Sequence, residues 1–256
     1  MHPIIVPSLG RAGTATSMKW LQDCARIVVL AVHEDEADAY GRAYPWAEIM
    51  VLPENTRRHT GRIRKHIMQM YRKPFHFVDD DIRLSLKSVL SPADVFEQIE
   101  RHLAAGASMA GIGQQLFSNS VIEKCRTING DKWALDNKFV ATVYGVQPTH
   151  FDDCPLEDLP VYEDVALVIH AMERGGCICS YVATHSNVSP SEGGCNAWRN
   201  EQITLESLIR LTKLYPEYCS IRETKNTTHS QNIGVGLRTA WSKIKKLPTL
   251  KNHLQS

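Results

Sequence analysis

The sequence has no apolar run long enough to cross a membrane. Its longest, Ala25 to Val32, is broken by Arg26, whereas a span needs about 20 apolar residues. The opening Met1-His2-Pro3-Ile4-Ile5-Val6-Pro7 lacks a basic stretch followed by a long apolar one. No secretory signal is therefore expected. The seven cysteines are odd in number and scattered, which predicts reduced thiols and a cytoplasmic protein rather than a disulfide framework. Cys177-x-Cys179 has no second pair at ligand spacing, so the two read as small buried residues on a strand. Net charge is nearly absent: 29 basic against 28 acidic residues give +1. Taken alone, that balance argues against a nucleic-acid partner. There is no internal repeat and no low-complexity linker.

What is present is a globular composition, 43% hydrophobic and 22% charged, outside the range of disordered chains, coiled coils and collagen-like repeats. Ile4 to Val6 reads as a strand running into a glycine-containing loop, Pro7-Ser8-Leu9-Gly10-Arg11. Thr16 to Cys24 reads as a helix, Arg26 to Val32 as a strand buried on both faces, and Glu34 to Tyr44 as a helix. Ala47 to Leu52 is a third strand. Gly61 to Tyr71 is a helix with Ile63, Ile67 and Met70 at core spacing, and Phe75 to Val78 is a fourth strand. This alternation predicts an α/β fold with a mostly parallel, Rossmann-like central sheet and helices on both faces. Ligands in such sheets bind at the carboxyl ends of strands.

Further on, Ser91 caps a helix with Pro92 at its first position and Gly106 at its end. Met109 to Leu116, Phe139 to Val146 and Cys177 to Val182 read as strands. Asp164 to Arg174 and Thr204 to Leu214 read as helices. One domain over residues 1–220, followed by a basic helical extension over 221–256, is the simplest organisation.

Charges collect at the expected strand ends. Val78 is followed by Asp79-Asp80-Asp81. Residues i and i+2 of an extended segment share a side, so Asp79 and Asp81 face one site while Asp80 turns away. Adjacent carboxylates suit a hard divalent cation, magnesium or manganese, shared with substrate phosphates. The plain alternative is a solvated acidic turn. Arg57 to Lys73 contains seven Arg or Lys and no acid. Within it, Arg58 and Arg62 near a helix start are the preferred diphosphate contacts, because arginine and helix N-termini both favour phosphate oxygens. Glu163-Asp164 opens a helix, where acids are also favoured simply by the helix dipole. From Thr224 to Ser256 no acid occurs, while Lys225, Arg238, Lys243, Lys245, Lys246 and Lys251 surround Trp241. Leu237, Trp241, Ile244 and Leu247 would form an apolar stripe on that helix. Such a stretch attracts a phosphate backbone, and an aromatic there offers a stacking face for an unpaired base.

Together these features resemble a glycosyltransferase of the GT-A fold. The segments Val6 to Ala12, Phe77-Val78-Asp79-Asp80-Asp81 and Tyr162-Glu163-Asp164 narrow the resemblance to the phage-encoded TET-associated glycosyltransferases, over roughly residues 3 to 190. The resemblance implies an enzyme that places a sugar from a nucleotide-sugar, expected to be a UDP-sugar, on 5-hydroxymethylcytosine in DNA with Mn2+ or Mg2+ as cofactor. It implies Pro7, Ser8, Arg11, Glu34, Asp79 and Asp80 as nucleotide contacts. It assigns the metal to Asp81 and Asp79, completed by His185, with His229 second. Inverting transfer would use Asp164 as base, with Glu163 orienting it or the acceptor. Lys243, Lys245, Lys246 and Trp241 would meet DNA. The acidic segment Phe151 to Asp164 argues against DNA pressing there. Transfer to a polysaccharide or lipid-linked acceptor, and a non-catalytic nucleotide- or DNA-binding role, are the alternatives.

Overall fold

The structure is a computed structural model that describes residues 1–86, 90–114, 123–136, 138–188, 193–223 and 235–240. The element order is β1 (Ile4–Pro7), α1 (Met18–Leu21), β2 (Val28–His33), α2 (Glu34–Ala43), β3 (Glu48–Leu52), α3 (Thr60–Met70), β4 (Phe75–Val78), β5 (Ile82–Leu86), α4 (Pro92–Ala104), β6 (Met109–Gln114), β7 (Arg126–Ile128), β8 (Asp131–Asp136), β9 (Val143–Val146), α5 (Glu163–Glu173), β10 (Cys177–Asn187), α6 (Glu201–Leu214), β11 (Cys219–Glu223) and β12 (Val235–Thr239).

Ten strands form one sheet in the order β3-β2-β1-β4-β9-β6-β10-β8-β7, with β5 also paired to β10. The β3-β2-β1-β4 half is parallel. Direction reverses at β9, which runs antiparallel to both β4 and β6, while β6 and β10 are parallel. β1, β2 and β4 are buried along almost their whole length, as near-continuous apolar strands covered on both faces must be. One face packs α1, Tyr40 of α2 and the Phe96–Ile99–Leu103 stripe of α4. The other packs Ile67 and Met68 of α3 and the apolar residues of α5. α4 carries the expected Ser91 cap and Pro92 in its first turn, and Asp94 completes a capping box with Ser91.

Several expected elements differ. On α3 the buried residues are Gly61, Arg64, Ile67 and Met68, whereas Met70 is 64% exposed. The helix is rotated from the Ile63–Ile67–Met70 stripe because its start packs against the 155–160 segment. A Cβ on Gly61 would lie 2.1 Å from the Leu156 carbonyl oxygen. The Phe139–Val146 strand shrinks to Val143–Val146. The Cys177–Val182 strand extends to Asn187, which puts His185 within it rather than after it. The expected basic C-terminal helix meets β12 instead. Val235–Thr239 pairs antiparallel with β11, and Leu237 packs against the main core, so strand pairing sets the local conformation of that stretch. The expected boundary at 220/221 falls inside β11. Trp241, Lys243, Lys245, Lys246 and His229 lie outside the described residues.

Candidate active site

The loops at the carboxyl ends of β1 and β4 and the residue entering β9, which runs the other way, meet near the start of α5. Asp79-Asp80-Asp81 leaves β4, and the Asp79 amide donates to the Thr142 carbonyl at 2.8 Å. Asp80 is only 5% exposed. Both its carboxylate oxygens are taken, one by the Ser8 hydroxyl and one by Arg11 Nη1. Asp79 and Asp81 keep 30% and 19% of their side chains exposed. The i, i+2 alternation thus turns two carboxylates outward and holds the middle one inward.

Ser8 and Arg11 are both buried. The Ser8 hydroxyl also meets the Tyr40 hydroxyl at 2.6 Å, and Arg11 Nη1 lies 3.4 Å from Asp81 Oδ2. Gly194 closes over this loop. Its amide donates to the Leu9 carbonyl at 2.8 Å, and a Cβ there would stand 2.5 Å from Arg11 Nη2. A side chain at Gly194 would therefore displace the guanidinium from Asp80.

The cation at the centre of the site is Arg64. Its Nη2 lies 3.2 Å from Asp79 Oδ1 and its Nε 3.0 Å from Glu163 Oε1, while Nη1 donates to the Tyr144 hydroxyl. Arg58 and Arg62, by contrast, are exposed. Arg62 donates to the Asn55 carbonyl at 3.3 Å and lines a separate cavity of about 430 Å³ with Lys65, His66, Glu157 and Asp158. Pro7 ends β1, and Glu34 opens α2 with its side chain exposed.

Glu163 is buried, and Asp164 follows it in the first turn of α5. Tyr162, the residue before the helix, sits at φ 68°, the left-handed region that costs a bulky residue of order 1–3 kcal/mol and recurs at functional sites. Arg199 stacks over its ring, 5.8 Å from the centroid. Asp164 Oδ1 accepts from the Val165 amide at 2.8 Å.

Acids outnumber their partners in this space, and the electrostatics follow. Burial raises Asp79 to about 7 against the pull of Arg64, with Asp81 and Asp80 adding to the rise. Burial raises Asp80 to about 6 against Arg11 and Ser8, and it raises Asp81 also. Asp164 is pushed up to about 6 by burial and by Glu163, with Arg64 opposing. The Cys195 thiol is raised to about 12 by burial, with Glu163 and Asp79 contributing. Crowded, partly dehydrated carboxylates are stabilised by a bound cation. Two outward oxygen-donor groups with no sulfur between them suit magnesium or manganese. The donor chemistry therefore fits such an ion on Asp79 and Asp81.

His185 is 2% exposed, and its ring meets the Thr142 hydroxyl at 3.0 Å. Burial lowers it to about 4, so it is a neutral imidazole. Thr142 thus joins His185 to the Asp79 amide, yet Asp79, Asp81 and His185 do not form a three-ligand cluster within 4.8 Å among the described residues. Asn187, two residues on along β10, reaches Asp81 Oδ1 instead, at 3.3 Å. Sequence reasoning passed over Arg64, Tyr144, Asn187 and Arg199. The available signal for Arg64 was a cation at position i−3 from Ile67, on the buried side of its own helix.

A doubly covered α/β sheet with an acidic turn after β4 and an acidic pair opening a later helix defines the GT-A class of glycosyltransferase folds. Residues 2–189 match the sequence model of the TET-Associated Glycosyltransferase family, and the chain belongs to that family. Among solved structures, the mannosyltransferase PcManGT from Pyrobaculum calidifontis, in complex with GDP-Man and Mn2+, aligns with TM-score 0.55 at 14% identity. The alignment covers 82% of this chain and 64% of that one, so the chain spans less than two thirds of that protein. A 4-diphosphocytidyl-2C-methyl-D-erythritolsynthase from Anaerococcus prevotii DSM 20548 aligns at TM-score 0.44 and 11% identity, over 82% of this chain and 98% of that one. No curated protein sequence matches. Among the described residues, no helix is long and apolar enough to cross a membrane.

Proposed function

We propose that this glycosyltransferase moves a sugar from a nucleotide-sugar, a UDP-sugar, to the hydroxymethyl group of a modified pyrimidine in DNA, with inversion at the anomeric carbon. The carrying observation is the meeting of Asp79 and Glu163 on one guanidinium. It joins a carboxylate turn suited to a metal–diphosphate complex to a helix that carries a second carboxylate, Asp164, beside Glu163. Family membership and a fold relative solved in complex with GDP-Man and Mn2+ support a nucleotide-sugar donor and a divalent ion.

On this reading Asp79 and Asp81 hold the ion, with Asp80 locked behind them as the anchor of the Ser8–Arg11 loop. The ion, when bound, neutralises charge on the departing diphosphate. Pro7, Ser8 and Glu34 border the nucleotide. Asp164 takes the proton from the acceptor hydroxyl as its oxygen attacks the anomeric carbon, and its raised pKa suits a base near neutral pH. The acceptor lies over the start of α5. The acidity of the 151–164 segment is partly cancelled there, since Asp152 is paired with Arg72 at 2.7 and 2.8 Å and Asp153 with Arg174 and His170. That pairing weakens the electrostatic objection to DNA. Lys243, Lys245 and Lys246 of the C-terminal stretch are the proposed phosphate-backbone contacts, and Trp241 is the proposed stacking contact.

The test is transfer onto duplex DNA containing 5-hydroxymethylcytosine, with UDP- and GDP-sugars and Mn2+, read by intact mass of the oligonucleotide. A hexose or pentose increment is expected. No increment with any donor, alongside transfer to an oligosaccharide, overturns the DNA acceptor. An increment from GDP-sugars alone overturns the UDP assignment.

A further inference from the structure

The inference rests on the proposed donor carboxylates and acceptor base. We propose that Arg64 is a positioning residue that fixes the acceptor base relative to the donor subsite. Its guanidinium holds Asp79, after β4, and Glu163, in the first turn of α5, in one rigid frame.

Arg64 uses three different nitrogens for three partners on three elements. Nη2 faces Asp79, Nε faces Glu163 and Nη1 faces Tyr144 on β9. The plane of the guanidinium is held as well. Its central carbon lies 5.4 Å from the ring centroids of both Phe77 and Tyr144, and the residue is 7% exposed. Nε and Nη2 are fixed relative to each other by the planar group. Asp79 Oδ1, hydrogen-bonded to Nη2, and Glu163 Oε1, ion-paired 3.0 Å from Nε, are therefore both placed by one planar group. Asp164 adjoins Glu163 in the same helical turn and inherits that placement.

The arrangement separates the roles of the acidic pair. Glu163 is buried against a cation and acts as a strut. Asp164 has no ion pair among the described residues and is left to handle the proton. It also sets Arg64 apart from an open phosphate site: each of its three nitrogens already has a protein partner, which favours a brace over a diphosphate ligand. A buried ion triad is poor as mere stabilisation, because apolar packing of equal volume usually does as well. Its value lies in orientation. Lysine, a point charge on a flexible stem, could keep the charge but not the frame.

The experiment compares the full-length wild type with Arg64→Lys, Arg64→Met and Glu163→Gln. Transfer kcat, donor KM and titration calorimetry of UDP-sugar with Mn2+ are measured on each. For Arg64→Lys the expected result is a kcat at least thirtyfold lower, with donor Kd and KM within about threefold of wild type. Glu163→Gln, which approaches the same contact from the other side at equal volume, should lower kcat about tenfold. Arg64→Met/Glu163→Gln should fall no more than about threefold below Arg64→Met alone, since both remove one strut. Arg64→Lys with wild-type kcat overturns the proposal. So does an effect confined to donor KM, which would make Arg64 a donor ligand. Should Arg64→Met fail to fold, Arg64→Lys and Glu163→Gln decide the matter alone. A wild type that neither binds nor turns over the donor instead defeats the underlying functional reading, and does so without any variant.

Discussion

The two ends of the same sheet each gather buried or half-buried charge, and they resolve it in opposite ways. At the amino end, Glu100 of α4 receives Arg26 Nη1, the His2 amide at 2.7 Å and His76 Nε2 at 3.3 Å on one oxygen. Burial lowers the fully enclosed His76 to about 4 and lowers His2 as well, so both imidazoles are neutral. The one carboxylate faces one guanidinium. At the carboxyl end, Asp79, Asp80, Asp81, Glu163 and Asp164 face Arg11 and Arg64, and four of the five acids are raised. His2, His76 and Glu100 do bring their ligand atoms within 4.8 Å of one another. Proximity alone thus points to the amino end, and charge balance points to the carboxyl end. A dication beside Arg26 would add positive charge where the charge is already balanced. Beside Asp79 and Asp81 it would relieve an excess.

The largest expected effect comes from removing the excess. Asp81→Ala should abolish Mn2+-dependent donor binding in calorimetry, whereas Glu100→Gln should leave it unchanged. An unchanged titration for Asp81→Ala would move the ion off this turn. Next, Asp164→Asn should lower kcat by about 10²–10⁴-fold, the usual worth of a positioned base, in a protein with a wild-type circular dichroism spectrum. The same assignment fixes a pH dependence. A base must be deprotonated to accept a proton, and Asp164 is raised to about 6. The wild-type rate should therefore fall as pH drops through about 6, and that limb should vanish in Asp164→Asn. A persistent limb would assign it to another group.

At the other end, Glu100→Gln should act on stability rather than catalysis. It leaves Arg26, whose side chain is 1% exposed, without its counter-charge. The cost of breaking a buried pair is about 3–5 kcal/mol, read as a lower Tm with kcat per folded molecule preserved. A change in kcat would show that the two ends are coupled. The smallest effect is expected from Arg62→Ala, an exposed side chain. Stability should change by less than about 0.5 kcal/mol and donor KM by less than threefold. A larger rise in KM would restore Arg62 to the diphosphate.

Much of this comparison was legible in the sequence, and the exceptions share a cause. The acid turn after Phe75 to Val78 was readable because apolar run, strand end and i, i+2 alternation are all local. So was the capped start of α4. Arg64 was not. It follows Arg62 in a basic segment, and although it lies three residues before Ile67 on the core side of the helix, its charge assigns it to solvent. Its burial depends on Asp79 and Glu163, 15 and 99 residues further on, which no window can register. The C-terminal stretch shows the converse. Leu237 lies at helical spacing from Trp241, yet Val235–Thr239 pairs with Cys219–Glu223. A partner strand settles short segments whose intrinsic preference is weak.

By itself, then, the sequence determined the alternating α/β core, the strand ends where polar clusters fall, and the two acidic motifs, because periodicity and strand-end chemistry act over a few residues. The tertiary structure decided which charges are matched. Only folding sets Arg11 against Asp80, Arg64 between Asp79 and Glu163, and Arg26 against Glu100. The formal charge of +1 is a sum over the chain. The electrostatic energy depends on distance and on water excluded at each site, and both are properties of the fold.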